Sequence, residues 1–338
     1  MSRKVILDAD PGIDDALAIV TALGSDEIEV VGIATVYGNV LPRIGVLNTL
    51  KVLKSMDRMD IPVIPGADRP LKKNLLSSKV KRRKERNHGK WGLGSLHVTP
   101  SIINESLKKK ISSKNDKLLE GLKNKNYLEF IDEIIDHYSD SDLSVIATGP
   151  LTNIAEAVSY RPEFARKVGQ LLIMGGAYSL GSHINSNITN FAEFNFYCDP
   201  EAAKLVFGSP SLDAKIKVVG LDVTQHPNCG LDRKFVNKVR HRINVGAGES
   251  SLSELILSLL DFKLNHNPIF HLHDVLAVLL CERPSFFTFK TGNIDITLSG
   301  KLRGHSEFID DDMGNVQVAN VVDERQFKKF LYNRLISH

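Results

Sequence analysis

Four carboxylates stand within eight residues near the start of the chain, in Asp8-Ala9-Asp10-Pro11-Gly12-Ile13-Asp14-Asp15, directly after the β-branched run 5–7. That run predicts a short buried strand. Ile13, Leu17 and Val20 then share one face of a helix over 13–23, so Pro11 and Gly12 fall in a strand-to-helix turn. Like charges crowded at a strand end repel unless something cationic or a set of donors holds them. Hard oxygen ligands of this kind suit Ca²⁺ or Mg²⁺, and the turn brings carboxylates before and after it together. Helix capping by Asp14 or Asp15 is the plainer explanation, and it accounts for one or two of the four.

The alternation of strand and helix continues along the chain. A second strand is expected at 28–36 and a second helix at 41–53. Further apolar strands are expected at 62–64, 143–147, 171–174 and 216–219, with helical patterns at 127–137, 152–160 and 200–207. This predicts an α/β fold with an open, mostly parallel twisted sheet and helices on both faces, Rossmann-like, with its ligand at the carboxyl ends of the strands. Strand-like runs at 286–289, 294–298 and 316–322, with little helix between them, suggest C-terminal antiparallel additions before a closing helix at 324–336. The 338 residues fit one large domain spanning 1–338.

Charge narrows the function classes. Forty-three Lys+Arg against 40 Asp+Glu give a net charge of +3, too balanced for a protein that lives on phosphate backbones or anionic lipid, so neither nucleic acid nor membrane is expected as a partner. No apolar run reaches the ~18 residues of a membrane span, and the N-terminus reads as neither signal peptide nor anchor. Cys198, Cys229 and Cys281 are odd in number and widely spaced, which argues against a disulfide framework or thiolate zinc and for a reducing, cytoplasmic setting. Two stretches stand apart. Residues 72–90 carry nine Lys/Arg and one acid, so this span holds +8 and the rest of the chain −5. With His88, Trp91 and the glycines at 89, 92 and 94, the segment 72–94 reads as a basic, mobile loop over the active site; a solvated surface loop is the plainer reading. Residues 104–126 are rich in Lys, Asn and Ser and read as a polar surface insertion.

Two further constellations bear on chemistry. His273-Asp274 opens an apolar helix over 275–281, with His271 just before it. A helix cap explains that pair if it stands alone; beside the first cluster, Asp274 can complete a coordination shell and His273 supplies a group that titrates near neutrality. The segment 187–195 interleaves Asn187, Glu193 and Asn195 with Phe191 and Phe194, a set able to hydrogen-bond a polyol or simply to edge a strand.

Taken in order, the motifs LDADPGIDDALAI from Leu7, TVYGN ending at Asn39, HGKWGLG from His88, ATGPLTNIA around Thr148, MGG from Met174, AEFNFYCDPEAA from Ala192 and HDVLAV from His273 resemble the inosine-uridine preferring nucleoside hydrolases. The resemblance runs from Lys4 to about Val322. It implies the nucleoside hydrolase fold and a Ca²⁺-dependent enzyme of purine and pyrimidine salvage that cleaves ribonucleosides into ribose and free base. It also implies a homodimer or homotetramer. By the same resemblance Asp10, Asp15, Asp274 and the Thr148 carbonyl hold the Ca²⁺, and Asp10 also takes the proton of the attacking water. Asp14, Asn39, Asn187, Glu193 and Asn195 fall at ribose positions, Met174 lies in a substrate-binding motif, and His273 protonates the leaving base. His88 and Trp91 are expected to meet the base.

The residue types suit that chemistry. C1′–N cleavage passes through an oxocarbenium-like state that needs carboxylates near the sugar, a delivered water and a protonated leaving group. The chain departs from the family in its loop tryptophan, in a helix over 251–265 without tyrosines, and in the length of 104–126, which leaves base preference open. Two rivals remain. Asp8-x-Asp10 after a strand also resembles the opening of haloacid-dehalogenase-type phosphatases, although Pro11 does not suit that pattern. A nucleoside-binding protein on the hydrolase scaffold is the other.

Overall fold

A computed structural model describes residues 2–72, 86–96, 126–180, 186–212, 215–246 and 250–337. Most of the basic segment 72–94 and nearly all of the 104–126 insertion lie outside the described residues. The described strands are β1 (Arg3–Ala9), β2 (Ile28–Thr35), β3 (Val63–Pro65), β4 (Leu143–Ala147), β5 (Val168–Met174), β6 (Ile216–Val219), β7 (Phe287–Ile296), β8 (Ser306–Asp310) and β9 (Val316–Val322). They form one sheet in the order β3-β2-β1-β4-β5-β6-β9-β7-β8.

The alternation of side chains along each strand feeds two cores, one on each face of the sheet. Val5 and Leu7 of β1 enter one core and Ile6 the other; Leu172 and Met174 of β5 go with the first, Leu171 and Ile173 with the second. Helices Ile13–Leu23, Ser251–His266, His273–Glu282 and Glu324–Ile336 cover the first face through Leu17, Leu259, Leu276 and Phe327. Helices Tyr127–His137, Thr152–Tyr160 and Pro200–Phe207 cover the other through Phe130, Ile154 and Val206.

The site depends most on β1 and β4, at the middle of the parallel part of the sheet. β1 pairs in parallel with β2 on one side and β4 on the other. The chain walks outward from β1 to β3, then returns across to β4 and walks the other way. The connections leaving β1 and β4 therefore diverge, and a crevice opens between their carboxyl ends. Both the four-carboxylate turn and Thr148 sit at its lip.

The C-terminal strands differ in detail from the sequence pattern. The runs at 286–289 and 294–298 are parts of one strand, β7, which pairs antiparallel with β9 along its first half and with β8 along its second. The polar residues Lys290 to Asn293 interrupt the apolar pattern without interrupting the ladder. β9 runs parallel to β6, so it extends the parallel sheet, and the antiparallel additions are β7 and β8. β8, with the polar sequence SEFID at the sheet's edge, gives little apolar signal. The helix Arg233–Gly246 is also unannounced, because its apolar stripe of Val236, Val239 and Ile243 is set among basic residues. Among the described residues no helix is long and apolar enough to cross a membrane.

The closing helix is locked to the helix that carries His273. Arg334 donates to Glu282 at 2.7 Å, and Glu282 is 4% exposed. Glu282 also lies 3.5 Å from Arg283, so Arg334→Met leaves the buried carboxylate with only the longer of its two contacts and is expected to cost up to about 3 kcal/mol. The double variant Arg334→Met/Glu282→Met should recover most of that loss in urea unfolding, and additive losses would show that the pair is not coupled.

Candidate active site

The turn after β1 is built by its own carboxylates. Asp15 accepts from the Gly12 amide at 2.9 Å through one oxygen, and through the other from the Asp10 amide at 3.3 Å and the Thr148 hydroxyl at 2.9 Å. It ties the turn to the end of β4 while capping the first helical turn. Asp10 accepts from both the backbone and the side-chain amide of Asn39, and that side-chain amide also reaches Asp15 at 3.3 Å, so Asn39 bridges the two carboxylates. A Cβ on Gly38 would collide with Asp10 Oδ2, so only glycine lets the carboxylate lie against that backbone.

His88 reaches the same turn from a distant segment. A Cβ on Gly12 would collide with His88 Nδ1, and Nδ1 accepts from the Ile13 amide at 3.1 Å. An acceptor nitrogen carries no proton, so the 3.6 Å approach of Nδ1 to Asp14 is a contact rather than a charged pair, and the ring's proton sits on Nε2.

On the far side of the crevice, Glu193 caps the helix Phe194–Cys198, accepting from the amides of Asn195 (2.8 Å), Phe196 (3.1 Å) and Gly176 (3.2 Å). Asn195 then donates to the carbonyls of Thr148 (2.8 Å) and Met174 (3.2 Å), so the ends of β4 and β5 are bridged by one side chain. Asp274 enters with the helix His273–Glu282, and His273 Nδ1 lies 2.7 Å from Thr224 Oγ1.

These groups converge on one cavity. Asp14, Asn39, His88 and Thr148 line one part of it, and Met174, Asn187, Glu193, Asn195, His273 and Asp274 the rest. Asp10 and Asp15 are fully buried at its edge and are not lining residues. Trp91 is not among them either: it is half-buried, its carbonyl accepts from Asn48 at 2.8 Å and Lys90 lies over its ring. Asp8 also stands apart, 1% exposed and held by Asn153 at 2.8 Å. A phosphoryl-accepting aspartate must reach its substrate, so the phosphatase reading of Asp8-x-Asp10 loses its nucleophile.

Phe194, from the amide-rich segment, also lines the cavity, and two lining groups escaped the sequence patterns: Asn87 and Lys263. Lys263 had a signal, because it continues the buried helical stripe of Ile256, Leu259, Leu260 and Leu264, where an apolar residue is expected. Asn153, inside the ATGPLTNIA motif, and Thr224 hold their partners from behind, and nothing local in sequence marks Thr224.

The donor set fits a hard divalent cation. Asp14, Asp15 and Asp274 each offer an oxygen within 4.8 Å of the others, and Asp14 Oδ1 is buried without a hydrogen-bond donor among the described residues. Burial first, and then Asp14, pushes Asp15 up to about 6. Burial and the charges of Asp14, Asp15 and Asp10 hold Asp274 well above the usual carboxylate range. Carboxylates that resist ionising together are what a bound cation relieves.

The sign of the pH effect follows. A carboxylate whose folded pKa exceeds its unfolded value of about 3.9 binds more protons folded than unfolded between the two, so the cation-free protein loses stability as pH rises through that window. For Asp15 the window closes at about 6. Added Ca²⁺ or Mg²⁺ is therefore expected to raise Tm more at pH 8 than at pH 5, where protons already offset the repulsion. Melts with chelator and with cation at both pH values measure this, and no gain at pH 8 would speak against a cation seat here.

Comparison with known proteins agrees with this geometry. Residues 5–329 match the family described as inosine-uridine preferring nucleoside hydrolase. A probable uridine nucleosidase 2 of Arabidopsis thaliana is 31% identical, with 99% of this chain and 98% of that protein covered. A pyrimidine-specific ribonucleoside hydrolase RihA of Escherichia coli is 30% identical, with 99% of each covered. Among solved structures, a purine-preferring ribonucleoside hydrolase from Gardnerella vaginalis superposes with a TM-score of 0.81 at 29% identity, covering 99% of this chain and 98% of that one.

Proposed function

The chain belongs to the inosine-uridine preferring nucleoside hydrolase family, and on that footing we propose that it hydrolyses the N-glycosidic bond of purine and/or pyrimidine ribonucleosides to ribose and free base, with Ca²⁺ as its cation. It is a hydrolase acting on N-glycosyl compounds. The observation that carries the finer reading is the convergence on one cavity of carboxylates from the first turn, the Glu193–Asn195 segment and the His273-Asp274 pair. A salvage role in the cytoplasm, as a homodimer or homotetramer, completes the proposal; the three cysteines are buried and form no disulfide, which is consistent with a reducing compartment.

Asp15, Asp274 and Asp10 would hold the cation with the Thr148 carbonyl, and Asp14 lies within reach of the first two. Bound there, it supplies Lewis-acid polarisation and an anchor for vicinal hydroxyls. The chain's own groups do the rest. Asp10, oriented by the two amide donors of Asn39, accepts the proton of the attacking water. Glu193 and Asn195 are fixed by backbone contacts, so the ribose hydroxyls meet groups that need no rearrangement. The carboxylates around the sugar stabilise the positive charge that develops as the C1′–N bond breaks. His273 donates a proton to the departing base.

Ribose release from nucleosides, set against phosphate release from a phosphomonoester, tests the activity. Asp10→Asn is expected to lower kcat on uridine and inosine by about a thousandfold while substrate binding persists, because an amide cannot take the proton. Turnover within about tenfold of wild type would place the base elsewhere.

Lys263 bears on base preference. Its side chain is buried, lines the cavity and lies 4.8 Å from the centre of the Phe270 ring. An ammonium offers three donors and no acceptor, which suits a base carbonyl better than an exocyclic amine. Lys263→Met is expected to reduce kcat/KM for uridine and inosine about tenfold more than for cytidine and adenosine. Equal losses across the panel would assign the residue to packing.

A further inference from the structure

The short helix Leu221–Thr224 follows β6, and none of its residues lines the cavity. It nevertheless holds three separate pieces of it. Asp222 accepts from the amides of Tyr178 at 2.8 Å and Leu180 at 2.9 Å, fixing the backbone beyond β5. The Thr224 carbonyl lies 3.1 Å from His271 Nδ1, and the Thr224 hydroxyl 2.7 Å from His273 Nδ1. The two imidazoles stack, with centroids 6.3 Å apart and planes inclined by 27°. A carbonyl only accepts, so His271 Nδ1 carries a proton, and that ring is fixed against its neighbour.

We infer that Thr224 is a positioning residue for leaving-group protonation: its hydroxyl accepts the Nδ1 proton of His273, and so leaves Nε2 as the nitrogen that gives its proton to the departing base. The inference rests on the role proposed for His273. Without the hydroxyl the imidazole can turn about its side-chain bonds, and its mobile proton is no longer confined to the cavity edge. The step balances. The electron pair of the C1′–N bond goes to the base, the Nε2–H bond of the imidazolium breaks, the proton joins the base, and the ring is left neutral with its Nδ1 proton still held by Thr224. The sequence offers no hint of this pairing, because 49 residues separate the partners and a threonine at the end of a one-turn helix has no distinctive spacing.

The test compares natural nucleosides with p-nitrophenyl riboside, whose leaving group departs without a proton. Thr224→Val keeps the shape and removes the hydroxyl. It is expected to lower kcat for uridine and inosine about tenfold with KM nearly unchanged, and to lower p-nitrophenyl riboside turnover by less than about threefold. Thr224→Ser should restore most of the loss, and Thr224→Val should add little in a His273→Ala background. Equal losses on both substrate types, or no rescue by serine, would overturn the inference and leave Thr224 a packing residue. Two other results would bear on the reading beneath it. A His273→Ala variant that loses equally on both substrate types removes the donor role and this inference with it, whereas wild-type protein that releases no ribose at all removes the hydrolase reading. Nitrogen NMR of histidine-labelled, Ca²⁺-loaded wild type gives a reading that does not depend on the variants folding. A neutral His273 should carry its proton on Nδ1, and a proton on Nε2 alone would overturn the assignment.

Discussion

Crowding of like charge at the end of β1 is the constraint to which the rest of the site answers. Asp14, Asp15 and Asp274 are brought within 4.8 Å of one another with almost no solvent to screen them. Such an arrangement is costly in a folded chain without compensation. Part of the compensation comes from hydrogen-bond donors: the Gly12 and Asp10 amides of the same turn and the Thr148 hydroxyl at the end of β4 donate to Asp15. The remainder calls for a cation, and the oxygen-only donor set selects a hard one.

That constraint explains why the site sits where the sheet divides. Strand order reverses between β1 and β4, so their carboxyl ends present diverging connections and leave room for groups from several segments. The backbone is shaved to match. Gly38 admits the Asp10 carboxylate and Gly12 admits the His88 ring, each at a distance that a side chain would close. Asn195 and Thr148 then bind the ends of β4 and β5 into one rigid wall.

The two sides of the cavity differ in what they carry. One side presents Asp14, Asn39 and Thr148. The other, carried by the helices Ser251–His266 and His273–Glu282, brings Lys263 and His273 to the cavity wall. The second helix is buried nearly all round and is tied to the closing helix through Glu282 and Arg334, so the position of His273 is set by packing far from the cavity.

The fold was legible to the extent that apolar period reports it. β1, β4, β6 and the helices at 127–137, 152–160 and 200–207 follow directly from their patterns, since each buries a regular face. β8 and the helix Arg233–Gly246 did not, because an edge strand and a basic surface helix bury too little for their period to stand out. The available chemistry is written in local composition: four clustered carboxylates, a distant His-Asp pair and an amide-rich segment. Which of these meet is settled by the three-dimensional packing. It set Asp8 aside on Asn153, kept Trp91 off the cavity wall, placed Lys263 on that wall and put Thr224 beside His273. Contacts of that kind join residues tens of positions apart through the register of strands and the packing of helices, and no local pattern records them.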